Sequence, residues 1–430
     1  MRFIHVSDVH LGYQQYGLKE RFNDFSQAFL YIINQAVEQQ VDFVLLVGDL
    51  FEKRTVDPLA MRVAIEGLQT LREANIPALA VEGNHERAHY RDQYSWVDFL
   101  NALGYLRLLN PRIKDGRAVL EPYGDTGGAY LDLPGGVRVY GIKYYGASTG
   151  KVLGLFTDAL DKMDHSEVEF AILMAHAGLE GQISRYSGTL THNDLAPLRG
   201  RINYLALGHI HKPYAVDGWI YNPGSPETWS VEEVAWPERG YYLVEIQPGK
   251  EAAHQAQLIA VPRRPFHRLR LAVDALTDPN AVYDAVRRLV KREDNQIVRD
   301  PAPVIELTLS GVLPFSRLDL DLTYVEGLLQ DVWSPLKVRV QNRSTPAEFE
   351  INVDIEASRP ELERAILQEL LERDARYRLA AKEWTRVALE VKRLALERSA
   401  PEATIDYLRR SRAELAAVDE PAPSPSKGGA

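Results

Sequence analysis

Apolar positions along the first 260 residues fall into two alternating textures. Short β-branched and aromatic runs, "RFIHV", "DFVLLV", "IPALAV", "EFAILMA" and "NYLAL", have the length and continuity of strands buried on both faces. Between the second and third lies "VDPLAMRVAIEGLQTLREANIP", with apolar residues at helical spacing. Asp57 is placed to cap this helix, Pro58 suits its first turn, and Asn75 before Ile76-Pro77 ends it. Strand-like runs alternating with amphipathic helices predict a layered α/β core. The glycine-rich "GDTGGAYLDLPGGVRVYGIKYYG" reads as hairpins and a loop belonging to a second sheet.

Past "VPRRPF" (Val261–Phe266) the texture changes. "HRLRLAV", a helix capped by Asp278 ahead of Pro279, "VIELTLS", a short helix and "LKVRVQ" predict a small α+β unit. From Ser358, which forms a capping box with Glu361, a charged helical pattern runs to about Glu397. At about 1.5 Å per residue one unbroken helix would be roughly 60 Å long, too long for a small domain to cover. A break is expected near Arg373-Asp374. The helical residues carry an apolar stripe of Leu362, Ile366, Leu370, Trp384, Val387, Val391 and Leu394, which a helical hairpin could bury against itself. "PEATIDYLRRSRAEL" predicts a second helix, and "EPAPSPSKGGA" a disordered tail. The expected domains are 1–262, 263–355 and 356–418, with 419–430 as the tail.

Composition narrows the chemistry. With no cysteine among 430 residues, disulfides and thiolate metal sites are excluded, so any metal must be held by oxygen or imidazole. "MRFIHVSD" enters a strand pattern at once and no apolar run approaches a membrane span, so a cytoplasmic protein without a signal peptide is expected. The formal charge of −10 lacks the basic footprint common in nucleic-acid binders, although bound cations and local basic loops can supply the attraction.

The chemistry-bearing residues sit where the apolar runs end. "FIHVSDVH" delivers Asp8 and His10, "VLLVGDLF" Asp49, "LAVEGNHE" Asn84 and His85, "ILMAHAG" His176, and "LALGHIH" His209 and His211. Ligands of α/β sheets bind beyond the carboxyl ends of strands, so groups scattered over 200 residues can converge there. Two cations about 3.5–4 Å apart need a shared anion, and Asp49 is the natural bridge. Asp8, His10 and His211 would complete one site; Asn84, His176 and His209 the other. His209 and His211 are two apart at a strand end and share a face. Such a set suits manganese, iron or zinc better than calcium. Each element alone is weak, since D-x-H and a lone histidine after a strand are commonplace. Five in this order, each after its own strand, predict a binuclear metal site.

Two motifs point elsewhere. His85 to His89 fit H-E-x-x-H, but a zinc protease needs those residues on a helix, and here they follow a strand through Glu82-Gly83. "GASTGK" (Gly146–Lys151) falls one residue short of a phosphate-binding loop and has Val152 where Ser or Thr belongs, so a hairpin turn is expected.

The run "SDVHLG…VGDLFEKRTVDP…GNHE…AHAG…GHIHKP…NPGSPE" resembles the meiotic-recombination-eleven/SbcD-type nucleases, within the calcineurin-like binuclear metallophosphoesterases. The resemblance covers the first 260 residues; beyond them only the layout matches. It implies two mixed β-sheets flanked by helices, with a small α+β capping domain and C-terminal helices. The activity implied is manganese-dependent, 3′-to-5′ exonuclease on duplex DNA and endonuclease on single strands and hairpins, in double-strand-break repair. The family's metal ligands fall on Asp8, His10, Asp49, Asn84, His176, His209 and His211, and its catalytic histidine on His85; Glu86 would orient His85 or cap a turn. Two Mn2+ ions, a homodimer through helices near Phe22–Gln40 and Met61–Ala74, and an SMC-like ABC-type ATPase docked through its coiled coils by the C-terminal helices are implied as well. If the source is bacterial, association with the nucleoid is expected.

One departure stands out. Many members carry histidine directly after G-D-L-F, where this chain has Glu52, and an acid there is expected to weaken action on duplex ends while sparing single strands. For DNA contact, Tyr13, Tyr16, Lys19 and Arg21 follow the first metal loop, with Arg87 and Arg91 similarly disposed; aromatics could stack and cations meet phosphate. A surface loop with packed tyrosines explains them equally well. The competing functions are a phosphoesterase of small nucleotides or phosphoproteins, and a scaffold with a dead site, which the intact ligand set opposes.

Overall fold

The computed structural model describes residues 1–88, 94–125, 127–182, 188–247, 253–346, 358–374, 376–397 and 401–416. Two compact units are present. The first comprises Met1–Leu269 with Asn295–Glu306 and Trp333–Arg339, the second Arg270–Asp294, Leu307–Val332 and Val340–Ala430.

Two six-stranded sheets form the first unit. One has the order His254–Ala260, Gly240–Ile246, Arg2–Val6, Phe43–Val47, Ala78–Val81 and Arg107–Leu108. From Arg2–Val6 to Arg107–Leu108 its strands are parallel, and the first two are antiparallel. The other runs Tyr214–Val216, Ile220–Asn222, Tyr204–Leu207, Phe170–Ala175, Val137–Ile142 and Tyr130–Leu133, with a parallel centre and antiparallel edges. Both are mixed, as the resemblance implies.

Strand alternation explains why the apolar runs are unbroken. Phe3, Phe43, Leu45, Val47, Leu79 and Val81 face Val139, Phe170, Ile172, Met174 and Tyr204 of the other sheet. The intervening Ile4, Val6, Val44, Leu46 and Ala80 pack outward on helices Lys19–Glu38 and Pro58–Glu73. On the far side Tyr140, Ile142, Leu173 and Leu205 pack on helix Thr149–Leu160 through Val152, Phe156 and Leu160. Both faces of each central strand are therefore buried, which leaves no polar alternation to read. At about 1.5–3 kcal/mol per buried large side chain, this helix–sheet–sheet–helix stack supplies the main stabilisation.

A polar clamp crosses the apolar layer. Fully buried His5 donates from Nε2 to the Leu207 carbonyl (2.9 Å) and accepts the Tyr204 hydroxyl at Nδ1 (3.0 Å). Burial depresses its pKa to about 3 against the support of the Leu207 hydrogen bond, so the ring is neutral.

Asp57 caps helix Pro58–Glu73 by accepting from the Leu59 amide, and Asp278 caps Pro279–Glu293 by accepting from Ala281. Strands Phe266–Ala272, Val304–Ser310 and Lys337–Asn342 form a three-stranded sheet. The long C-terminal pattern breaks where length required: one helix is Arg359–Arg373, the next Ala381–Leu396 and a third Pro401–Ala416. The first two are tied by the Lys392–Glu363 ion pair, while Val387 is buried and Leu362, Ile366, Val391 and Leu394 stay half-exposed. The tail lies outside the described residues. Gly146–Lys151 is not a hairpin turn but a 3-10 turn running into helix Thr149–Leu160, because Val152, Leu153 and Phe156 give it an apolar face to bury.

Candidate metal centre

Past their last regular residues, the first two strands stay laddered: Asp8 N–H donates to Gly48 O (3.1 Å), His10 to Asp49 O (3.0 Å) and Leu11 to Leu50 O (2.8 Å). The chain then bends sharply. Asp8, His10, Asp49 and His209 all adopt positive φ (55°, 53°, 51° and 79°). Left-handed backbone at a non-glycine residue costs on the order of 1–3 kcal/mol and persists where surroundings over-determine it, typically at functional sites. The glycines preceding Asp49 and Asn84 allow close approach: a Cβ on Gly48 would collide with the His176 ring, and one on Gly83 with the Asp49 carboxylate and amide.

All seven expected ligands meet in two adjoining groups. Asp8, His10 and His211 form one, with His10 Nε2 and His211 Nε2 3.1 Å apart and His211 Nε2 3.8 Å from Asp8 Oδ1. Asp49, His176 and His209 form the other, and the Asn84 Oδ1 atom lies 3.0 Å from His176 Nε2 and 2.8 Å from His209 Nδ1. Asp49 Oδ2 is 3.3 Å from His176 Nε2, and its carboxylate also feels His10 of the first group. Asp8 accepts the His209 amide and the Ser7 hydroxyl, and both the Ile210 and Lys212 carbonyls accept from Asn222, which fixes the G-H-I-H loop.

Electrostatics fit a cation pair. Burial disfavours the Asp49 carboxylate, but His176, with His10 and His85, overrides it and holds the group below the ordinary carboxylate range. Burial opposes the His176 imidazolium, yet Asp49 and Asp8 raise its pKa. Buried carboxylates facing imidazole nitrogens, with no thiolate available, form a hard oxygen and nitrogen donor set that suits divalent first-row metals. Carbonyl oxygens can only accept, so Val47 O (2.8 Å) puts the proton on His176 Nδ1 and leaves Nε2 for a metal.

His85 sits at the rim. Its amide donates to Asp49 Oδ1 (2.9 Å) and its Nδ1 to the Glu52 carbonyl (2.7 Å), which fixes the ring proton on Nδ1. Buried Glu86 accepts from Phe51 N and Gly83 N and so braces two loops rather than touching the centre. Residues 82–88 have no helical turn, which removes the zinc-protease alternative. His89 and Arg91 lie outside the described residues. A cleft of about 440 Å³ beside His85 is lined by Glu52, Lys53, Arg54, Thr55 and Asn84.

The expected nucleic-acid contacts divide. Lys19 and Arg87 are exposed, while Tyr13 and Tyr16 are half-buried, Tyr13 stacked on Trp229 at 5.5 Å. Arg21 requires a correction. It is fully buried, hydrogen-bonded to Gln15, Asp24, Glu227 and the Thr228 carbonyl, and its guanidinium lies over Phe25 and Phe266. Its charge is spent inside the fold, and the spacing of a basic residue among aromatics could not reveal two acids 3 and 206 positions away.

Several side-chain contacts around the centre escaped sequence reasoning. Glu52 turns inward: its Oε2 accepts from the Trp229 indole (3.0 Å) and lies 2.9 Å from His10 Nδ1, without hydrogen-bond geometry. Tyr144 packs on His209 at 5.1 Å and Trp229 on His211 at 5.5 Å. Glu233 accepts from His211 Nδ1 at 2.7 Å. The signal for Glu233 was the S-x-x-E pattern from Ser230, a capping box that by itself says nothing about a histidine 22 positions upstream.

Residues 1–213 match the family model described as calcineurin-like phosphoesterase. The DNA double-strand break repair protein Mre11 of Archaeoglobus fulgidus is 34% identical over 244 residues, covering 55% of this chain and 52% of that protein. The chain thus spans about half the length of that relative. The Mre11 of Methanococcus maripaludis is 31% identical over 276 residues (62% of this chain, 68% of that protein). That of Saccharolobus solfataricus is 27% identical over 342 residues (77% and 80%). With its strand-end ligand groups in place and these relatives extending over most of its length, the chain belongs to the Mre11 family of calcineurin-like phosphoesterases.

Proposed function

We propose that the protein is a nuclease of DNA double-strand-break repair that hydrolyses phosphodiesters with two Mn2+ ions. Its actions are 3′-to-5′ exonuclease on duplex DNA and endonuclease on single strands and hairpins. The observation that carries this is the convergence of Asp8, His10, Asp49, Asn84, His176, His209 and His211, with His85 beside them over an open cleft. When bound, the two cations supply charge neutralisation and polarisation of the phosphodiester. The chain does the rest. Asp49 serves both groups, Asn84 and His176 complete the second, and Asp8, His10 and His211 the first. His85, steadied through Nδ1 by the Glu52 carbonyl, offers Nε2 to hold a phosphoryl oxygen or protonate the departing one.

Exposed Lys53 and Arg54 line the cleft and, with Lys19 and Arg87, would neutralise phosphates. The half-exposed stripe on helices Arg359–Arg373 and Ala381–Leu396 is the docking face for the coiled-coil base of an SMC-like ATPase. Helices Lys19–Glu38 and Pro58–Glu73 form the homodimer contact. Among the described residues no helix is long and apolar enough to cross a membrane.

The test is cleavage of end-labelled duplex and hairpin DNA with Mn2+ by the native chain and His85→Ala, with metal content measured for both. Cleavage lost in the variant at unchanged metal content supports the proposal. A native chain that carries two ions, leaves DNA intact with and without a partner ATPase and cleaves small phosphodiesters would refute it.

A further inference from the structure

One histidine in each ligand group is held from behind, and by different chemistry. His176 is held from behind by a neutral acceptor, the Val47 carbonyl. His211 is held by an acid: its Nδ1 lies 2.7 Å from Glu233 Oε1. Glu233 is only 2% exposed and sits in the 3-10 turn Val231–Ala235. Its other oxygen, Oε2, accepts from the Ser225 hydroxyl (2.9 Å) and the Trp229 amide (3.1 Å) and pairs with Arg239. Arg239 is itself fixed by the Trp236 carbonyl (2.8 Å) and the Thr228 hydroxyl (3.0 Å). The carboxylate is therefore held in place from both of its oxygens.

Resting on the binuclear reading, we infer that Glu233 is a positioning residue that makes the Asp8–His10–His211 half a carboxylate-backed metal position, unlike the carbonyl-backed half at His176. A carboxylate accepting from Nδ1–H fixes the tautomer, aims Nε2 at the metal and makes the imidazole a stronger donor; losing such a partner typically costs roughly 10–100-fold in metal affinity. His211 Nε2 already points this way, toward Asp8 Oδ1 and His10 Nε2. Trp229 joins the arrangement, since its amide bonds Glu233 while its ring packs on His211.

Two measurements test this. Mn2+ titrations of the native chain and Glu233→Gln, followed by calorimetry, should show two ions bound by the native chain and, in the variant, one ion weakened roughly 10–100-fold with the other within about twofold. Both unchanged, or both weakened alike, would overturn the inference, the latter because it marks general loosening. Should Glu233→Gln fail to fold, 15N spectra of the Zn2+-loaded native chain decide, with His211 assigned through His211→Asn. A proton on Nδ1 and none on Nε2 supports it, and the reverse overturns it. A native chain that never takes up two ions would instead sink the binuclear reading, so the two failures are distinguishable.

Discussion

Replacing His5 by glutamine removes a titrating group from the layer between the sheets, and the pH dependence of its cost follows from the structure. In the folded chain the buried ring protonates only near pH 3, whereas the unfolded chain protonates it at 6.5. The folded pKa of this base is depressed, so between these values the unfolded state holds more protons. Stability is therefore undiminished by this group above pH 6.5 and is lost progressively as pH falls toward 3. Integrating between pH 7.5 and 5.0 gives a loss of about 2 kcal/mol from His5 alone. Glutamine keeps a donor for the Leu207 carbonyl but loses the Tyr204 contact, a cost of about 1–3 kcal/mol that does not vary with pH. Urea unfolding of both chains in EDTA, followed by tryptophan fluorescence, should show the variant's deficit shrinking by about 2 kcal/mol from pH 7.5 to 5.0. The chelator keeps metal-linked protons out of the comparison. An equal or larger deficit at pH 5.0 would refute the assignment of His5 as a neutral clamp.

Gly83→Ala places a methyl group against Asp49, so Mn2+ affinity should fall at least tenfold while the thermal midpoint in EDTA drops by the equivalent of about 1–3 kcal/mol of overpacking. Arg21→Met strands the buried Glu227 carboxylate, while Asp24 keeps its pairing with Arg264, and should cost about 3–5 kcal/mol in urea unfolding, with DNA affinity of the folded variant unchanged; weaker DNA binding without lost stability would restore Arg21 as a DNA contact. Glu52→His removes a largely buried negative charge that lines the cleft beside Trp229 and His10, worth at least about 1 kcal/mol to a phosphate at close range. Duplex-end cleavage should rise roughly fivefold against single-strand cleavage, and an unchanged ratio would show that Glu52 does not govern the choice.

What the amino-acid order determined by itself is local or periodic. Unbroken apolar runs set the strands, amphipathic spacing the helices, and Asp57, Asp278 and Ser358 their starts, because each depends on neighbours a few residues away. The ligand groups were legible for a related reason: a residue just past a strand end leaves the sheet at one edge, whatever its distance along the chain. Tertiary structure decided the rest. Whether Arg21 met DNA or the buried Glu227, and whether Glu52 faced solvent or Trp229, depended on contacts 206 and 177 positions apart. His5 and Glu233 show the same limit. Each has an ordinary local setting, a strand residue and a capping acid, and each acquires its role only once the sheets pack and the His209–His211 loop meets the Val231–Ala235 turn. Side-chain hydrogen bonds of that kind depend on position to within a fraction of an ångström, which packing sets and sequence periodicity does not encode.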